Sequence, residues 1–76
     1  MIENKLSSCK INGQYEIKQI DGDEAMIRFF KHVGIHVGDT LKLVNILNKH
    51  YIGYIKGSRY AMEETIASSL YVKQYD

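Results

Sequence analysis

The chain contains no proline and only one cysteine among its 76 residues. Its turns therefore fall to Gly, Asn and Asp, which punctuate the sequence throughout. A single thiol, Cys9, cannot form an internal bridge, so the disulfide framework that rescues many small domains is excluded. A lone cysteine of this kind fits a reducing cytoplasm and is commoner as a core residue than as a nucleophile. Long apolar runs are also missing. None exceeds three residues, as at Ala25-Met26-Ile27 or Leu70-Tyr71-Val72, whereas a bilayer span needs about 20. The start, Met1-Ile2-Glu3-Asn4-Lys5, has no apolar signal core behind a basic stretch. A soluble, cytoplasmic protein is expected. Charge of one sign is scarce as well: ten basic residues against nine acidic ones leave a net charge of +1. That balance argues against a dedicated duplex-DNA binder, whose affinity rests on an excess of Lys and Arg.

What is present describes an ordinary globular domain, 45% hydrophobic and 25% charged. No repeat, low-complexity stretch or linker divides it, so residues 1–76 read as one domain. A chain this short buries about 60–65% of the surface its unfolded form exposes, which leaves a thin core.

The first segment, Lys5 to Asn12, is short and polar, anchored by Leu6, Cys9 and Ile11. From Gln14 to Ile20, Tyr15 and Ile17 alternate with Glu16 and Lys18, the signature of a half-buried strand. Asp21-Gly22-Asp23 stops it. Met26, Phe29, Phe30 and Val33 then recur at i, i+3, i+4 and i+7, predicting a helix from about Asp23 to Val33 with all four on one face. Asp21 or Asp23 caps its start, Lys31 and His32 complement its end, and Gly34 terminates it. Thr40 to Leu47 reads as a strand whose apolar phase changes between Leu43 and Val44, which predicts a bulge. Asn48-Lys49-His50 is expected as a hairpin loop, Tyr51 to Lys56 as the returning strand and Gly57-Ser58 as a tight turn. A strand from Arg59 to Met62, one helical turn within Glu63 to Ser69 with Ile66 and Ala67 inward, and a closing strand from Leu70 to Tyr75 complete the chain. Five short strands with one interpolated helix predict a mainly β fold, a small five-stranded SH3-like barrel.

Recognisable chemistry is sparse. The six glycines are scattered, so no phosphate-cradling loop forms. His32 and His36 stand four apart, but Gly34 lies between them at the predicted helix end, and with His50 and Cys9 elsewhere no metal site is expected. No Ser-His-Asp set or carboxylate pair supports an enzyme, and no cofactor is implied. Six tyrosines, with Lys42, Lys49, Lys56, Arg59 and Lys73, raise an alternative, a barrel that binds single-stranded nucleic acid by stacking and basic contacts. The same tyrosines read equally as strand residues with an apolar body and a wet hydroxyl.

The ordered set Gly13-Gln14, Ile17, Ile20, Arg28 through Ile35, Gly38, Leu41, Val44, Lys56-Gly57-Ser58-Arg59-Tyr60-Ala61-Met62, Ala67, Leu70 and Val72 resembles the FeoA family. The resemblance spans about Leu6 to Val72. The chain departs from that pattern at Val37 and at Asn48-Lys49-His50, where the family often has proline, and at Phe30 and Val33, where it usually has Leu or Met. The resemblance implies a small cytoplasmic accessory protein of bacterial ferrous iron uptake. Its partner would be the cytoplasmic GTP-binding part of FeoB, the membrane transporter. The same barrel occurs at the C-terminus of iron-dependent repressors, where it makes protein contacts.

Phe29 and Phe30 are about 100° apart on a helix, so both cannot point fully inward. An apolar docking patch is accordingly expected from Phe29 through Gly38, including Phe30, Val33 and Ile35, with Arg28 or Arg59 as a polar rim. The opposing expectation is that both rings seal one end of the barrel. Gly13, Gly34, Gly38 and Gly57 are assigned to backbone geometry. An exposed barrel edge also raises weak self-association.

Overall fold

Alternation at Gln14–Ile20 produces a strand, β2, with Tyr15 and Ile17 buried and Gln14 and Lys18 exposed. The computed structural model describes residues 4–75. Around β2 stand β1 (Asn4–Lys5), α1 (Glu24–Val33), β3 (Thr40–Leu47), β4 (His50–Ile55), β5 (Ser58–Glu63), α2 (Glu64–Ala67) and β6 (Leu70–Gln74), with a 3-10 turn at Leu6–Ser8. The strands form one sheet in the order β1-β6-β2-β3-β4-β5, antiparallel throughout.

Two expectations are corrected here. The sheet has six strands, not five, because Asn4 and Lys5 pair with Val72 and Tyr71. Nor is the sheet a closed barrel, since β1 and β5 remain its edges. Among the described residues β1 is two residues long and β5 runs directly into α2, and no ladder joins the two edges. Helical turns fill that gap instead. Ser68, just after α2, donates from Oγ to Ser7 Oγ in the 3-10 turn at 2.8 Å. The Tyr51 hydroxyl of β4 donates to the Ser7 carbonyl at 3.0 Å. The fold is thus SH3-like in its curled sheet, with the seam closed by side chains and short helices.

The concave face holds the core, in which Leu6, Ile17, Phe30, Ile35, Leu43, Ile55, Met62, Leu70 and Val72 are fully buried. The phase change in β3 is a bulge: its register against β4 shifts between Leu43 and Asn45. Both hairpins after it turn on two residues with positive φ, Asn48 and Lys49 (49° and 63°), then Lys56 and Gly57 (52° and 83°). Such pairs match the twist of the flanking strands. The second turn lies one residue earlier than Gly57-Ser58, with Ser58 already paired to Ile55. In α2, Ala67 is fully buried while Ile66 is only half-buried.

Candidate docking site around helix α1

Asp23 begins α1, its carboxylate accepting from the Met26 N–H at 2.9 Å, as an N-cap should. The other end is closed by Gly34, whose φ of 84° is left-handed. The Gly34 N–H donates to the Lys31 carbonyl (3.2 Å) and the Ile35 N–H to the Phe30 carbonyl (2.9 Å). This paired arrangement folds the chain back on the helix and brings the residue after the glycine against the helix's last turns. Ile35 and Phe30 accordingly belong to one buried cluster, at 2% and 1% exposure.

The four apolar residues of α1 do not share one environment. Phe30 is buried, Met26 and Val33 pack beside it half-buried, and Phe29 is 41% exposed. The Phe29 and Phe30 rings stand edge to face, 5.4 Å between centroids at 72°. Ile27, 39% exposed, lies about 160° from Phe29 around the helix axis, so the two flank the buried stripe on opposite sides.

On the Ile27 flank is a small open cleft of about 110 Å³. Phe30, Ile35 and Ile20 form its apolar walls, Ile27 and the exposed Val37 border it, and Lys31 and His36 supply its polar rim. Of the residues picked out in the sequence, Phe30 and Ile35 are thus inside the cleft. Phe29 points away from it, and Val33 is half-buried. Arg28 is exposed and bonds to Glu24 along the helix at 3.0 Å. Arg59 stands on β5 opposite Tyr54 and is not part of the cleft. Ile27 lies outside the apolar stripe that the sequence spacing picks out, and its i, i+3 spacing to Phe30 is the signal that places it at the cleft.

The cleft is held against the sheet by an ionic contact. Lys56 Nζ, at the tip of the β4–β5 hairpin, donates to the Gly34 carbonyl at 3.1 Å and lies 3.2 Å from Asp39 Oδ2. The same carboxylate oxygen accepts the His36 N–H at 2.8 Å. Burial works against ionisation of Asp39, but the His36 N–H and the Lys56 ammonium outweigh it and hold the carboxyl below its usual range. Gly38 and Gly57, with φ of 97° and 83°, sit in the two turns that this contact joins. Gly13 differs from them: its φ is not left-handed, and a Cβ there would run into the Tyr15 ring. Tyr15 crosses it so that its hydroxyl reaches Lys10, donating to the carbonyl at 3.2 Å and accepting the N–H at 3.2 Å.

Among the described residues, no three His, Cys, Asp or Glu side chains gather as a metal site would require. No helix among the described residues is long and apolar enough to cross a membrane.

A curled six-stranded antiparallel sheet with one amphipathic helix inserted between its second and third strands defines a small SH3-like domain. The FeoA domain family matches residues 4–74, and the chain belongs to that family. Solved structures agree on the fold. A crystal structure of an iron uptake regulatory protein, FeoA, superposes with a TM-score of 0.88 at 17% identity, covering 99% of this chain and 100% of that one. The solution structure of a FeoA-like protein from Clostridium acetobutylicum gives 0.90 at 13% identity, covering 100% and 91%. A manganese-dependent transcriptional repressor in complex with manganese gives 0.91 at 18% identity, where the match covers 96% of this chain but 37% of the repressor. No match was found among curated proteins.

Proposed function

We propose that this chain is a non-catalytic accessory protein of ferrous iron uptake that acts in the cytoplasm. It docks to the GTP-binding part of a FeoB-type transporter through the cleft beside α1. Membership of the FeoA family over residues 4–74 carries the iron-uptake reading. The cleft supports the docking reading, because Ile27 and Val37 leave apolar surface in water beside a preformed concavity, the kind of anchor point a partner side chain fills.

The test is binding of the purified protein to the transporter, full-length and as its isolated cytoplasmic domain, in each nucleotide state. Ile27→Asp and Val37→Asp are expected to weaken binding at least about tenfold while remaining folded, since a central anchor contributes roughly 1.4 kcal/mol or more. Phe29→Asp, on the opposite flank, is expected to leave binding within about threefold of wild type. Charges at Phe30 or Ile35 would test the core rather than the docking surface. Wild-type binding that survives both cleft substitutions would move the contact elsewhere. No wild-type binding to either form would remove the docking reading.

A further inference from the structure

The tyrosines fall into separate groups once the chain is folded. Tyr15 and Tyr51 are buried with their hydroxyls bonded to backbone carbonyls, and Tyr60 and Tyr71 are half-buried. Only Tyr54 and Tyr75 are exposed, at 47% and 39%. Both stand in one row across the outer face of the sheet. Gln14 pairs with Lys42, Lys42 with Tyr54 and Tyr54 with Arg59, and the Tyr75 N–H donates to the Gln14 carbonyl at 3.0 Å. The row therefore reads Tyr75, Gln14, Lys42, Tyr54, Arg59 across successive strands, every member exposed.

Adjacent strands lie about 4.8 Å apart, which puts the two rings about 14 Å apart with Lys42 between them and Arg59 beyond. The two tyrosines and Lys42 line a shallow groove of about 280 Å³, which Lys56 also borders. No carboxylate stands in the row or lines the groove among the described residues, and neither Lys42 nor Arg59 is in an ion pair there. Within the overall charge of +1, the row itself carries two cations, Lys42 and Arg59, and the nearest carboxylate on this face of β2, Glu16, is paired with Lys18.

We propose that this face binds single-stranded nucleic acid, a short run of about four nucleotides at the low end of what small barrels accommodate. Bases stack on Tyr54 and Tyr75, Lys42 and Arg59 meet the phosphates, and the Gln14 amide meets base edges. Aromatic faces alternating with cations in register are what an unpaired strand needs, because every base has a π-face and every link a charge. An acidic peptide would use the cations but has no equivalent demand for two spaced rings. The site lies apart from the α1 cleft and does not depend on the docking reading.

Fluorescence anisotropy with labelled oligo(dT) and oligo(U) of about eight nucleotides tests it at low salt. Saturable binding is expected, weakening with salt at a log–log slope of about −1.4 for two neutralised phosphates. Tyr54→Ala and Tyr75→Ala should each weaken binding at least about fivefold, and Lys42→Gln should reduce the slope by about 0.7. Tyr54→Leu keeps apolar bulk on the strand without a ring, and should weaken binding as Tyr54→Ala does. Phe29→Asp should leave binding unchanged. Absence of saturable binding overturns the proposal, as does binding indifferent to both tyrosine changes. A polyglutamate peptide that competes as well as the oligonucleotide would assign the face to an acidic protein segment instead, and would equally overturn it.

Discussion

Cys9 follows the 3-10 turn half-buried, its thiol donating to the Lys5 carbonyl at 3.4 Å. Burial pushes its pKa up, and the opposing pull of the Tyr15 hydroxyl is the smaller effect. Reactivity belongs to the thiolate, so a raised pKa means less of the attacking species at neutral pH. Cys9 is therefore expected to alkylate several-fold more slowly in the folded protein than in denaturant at the same pH. Timed iodoacetamide labelling read by mass spectrometry checks this, and an equal or faster folded rate would contradict the burial argument. The sequence made Cys9 legible as a packing residue but could not supply the Tyr15 contact. Adjacent phenylalanines posed a similar limit. Helical geometry required that Phe29 and Phe30 diverge, while the choice between them depended on Gly34 folding Ile35 back over Phe30.

Helix α1 shows how an element can be legible while its attachment is not. Its length and its C-terminal stop follow from the apolar spacing and Gly34 to within a residue, while the choice of Asp23 over Asp21 as the N-cap is settled only by the structure. Besides the buried Phe30 and Ile35, a polar contact ties its C-terminal end to the sheet through Lys56, which adopts a left-handed φ of 52° in a hairpin turn. Propensity argues against Lys there, since positive φ favours Gly, Asn or Asp, so residue preference alone points to Gly57-Ser58 and not to the observed Lys56-Gly57. The ammonium's contacts to Gly34 and Asp39 are distant in sequence, beyond the reach of local pattern. These contacts make stability depend on acid. The folded protein holds the Asp39 carboxyl below its usual range, so its contribution is fully present above the unfolded value of about 3.9 and fades as pH falls through the lower folded value. Asp39→Asn is expected to cost roughly 1–2 kcal/mol at neutral pH. The gap between variant and wild type in denaturant titrations should narrow as pH is lowered below about 4. A gap that stays constant down to acid would mean that the carboxylate's charge contributes nothing.

At the scale of the whole molecule, the curled sheet and its core were readable from alternation, whereas the seam was not. Asn4 and Lys5 carry no strand signal of their own. They become β1 only because β6, nearly seventy residues later, offers an edge. Likewise, Ser7 meets Ser68 and Tyr51 only after the sheet has curled. Such a fold concentrates its stability in few side chains. A domain of this length has about 4–11 kcal/mol in total, and truncating a buried Phe costs about 3–5. Phe30, at 1% exposure, links α1 to the core cluster and also walls the cleft. Phe30→Ala is therefore expected to leave the chain largely unfolded, or barely folded, at 37 °C. Phe29→Ala removes a ring that is 41% exposed and should cost under about 1.5 kcal/mol. Thermal unfolding followed by circular dichroism, with both variants beside wild type, separates the two. Equal losses would mean that the rings act as one unit through their edge-to-face contact. Loss at Phe30 alone means that Phe29 is held on the surface by the helix and adds little to the core, which leaves it free to vary without loss of the fold.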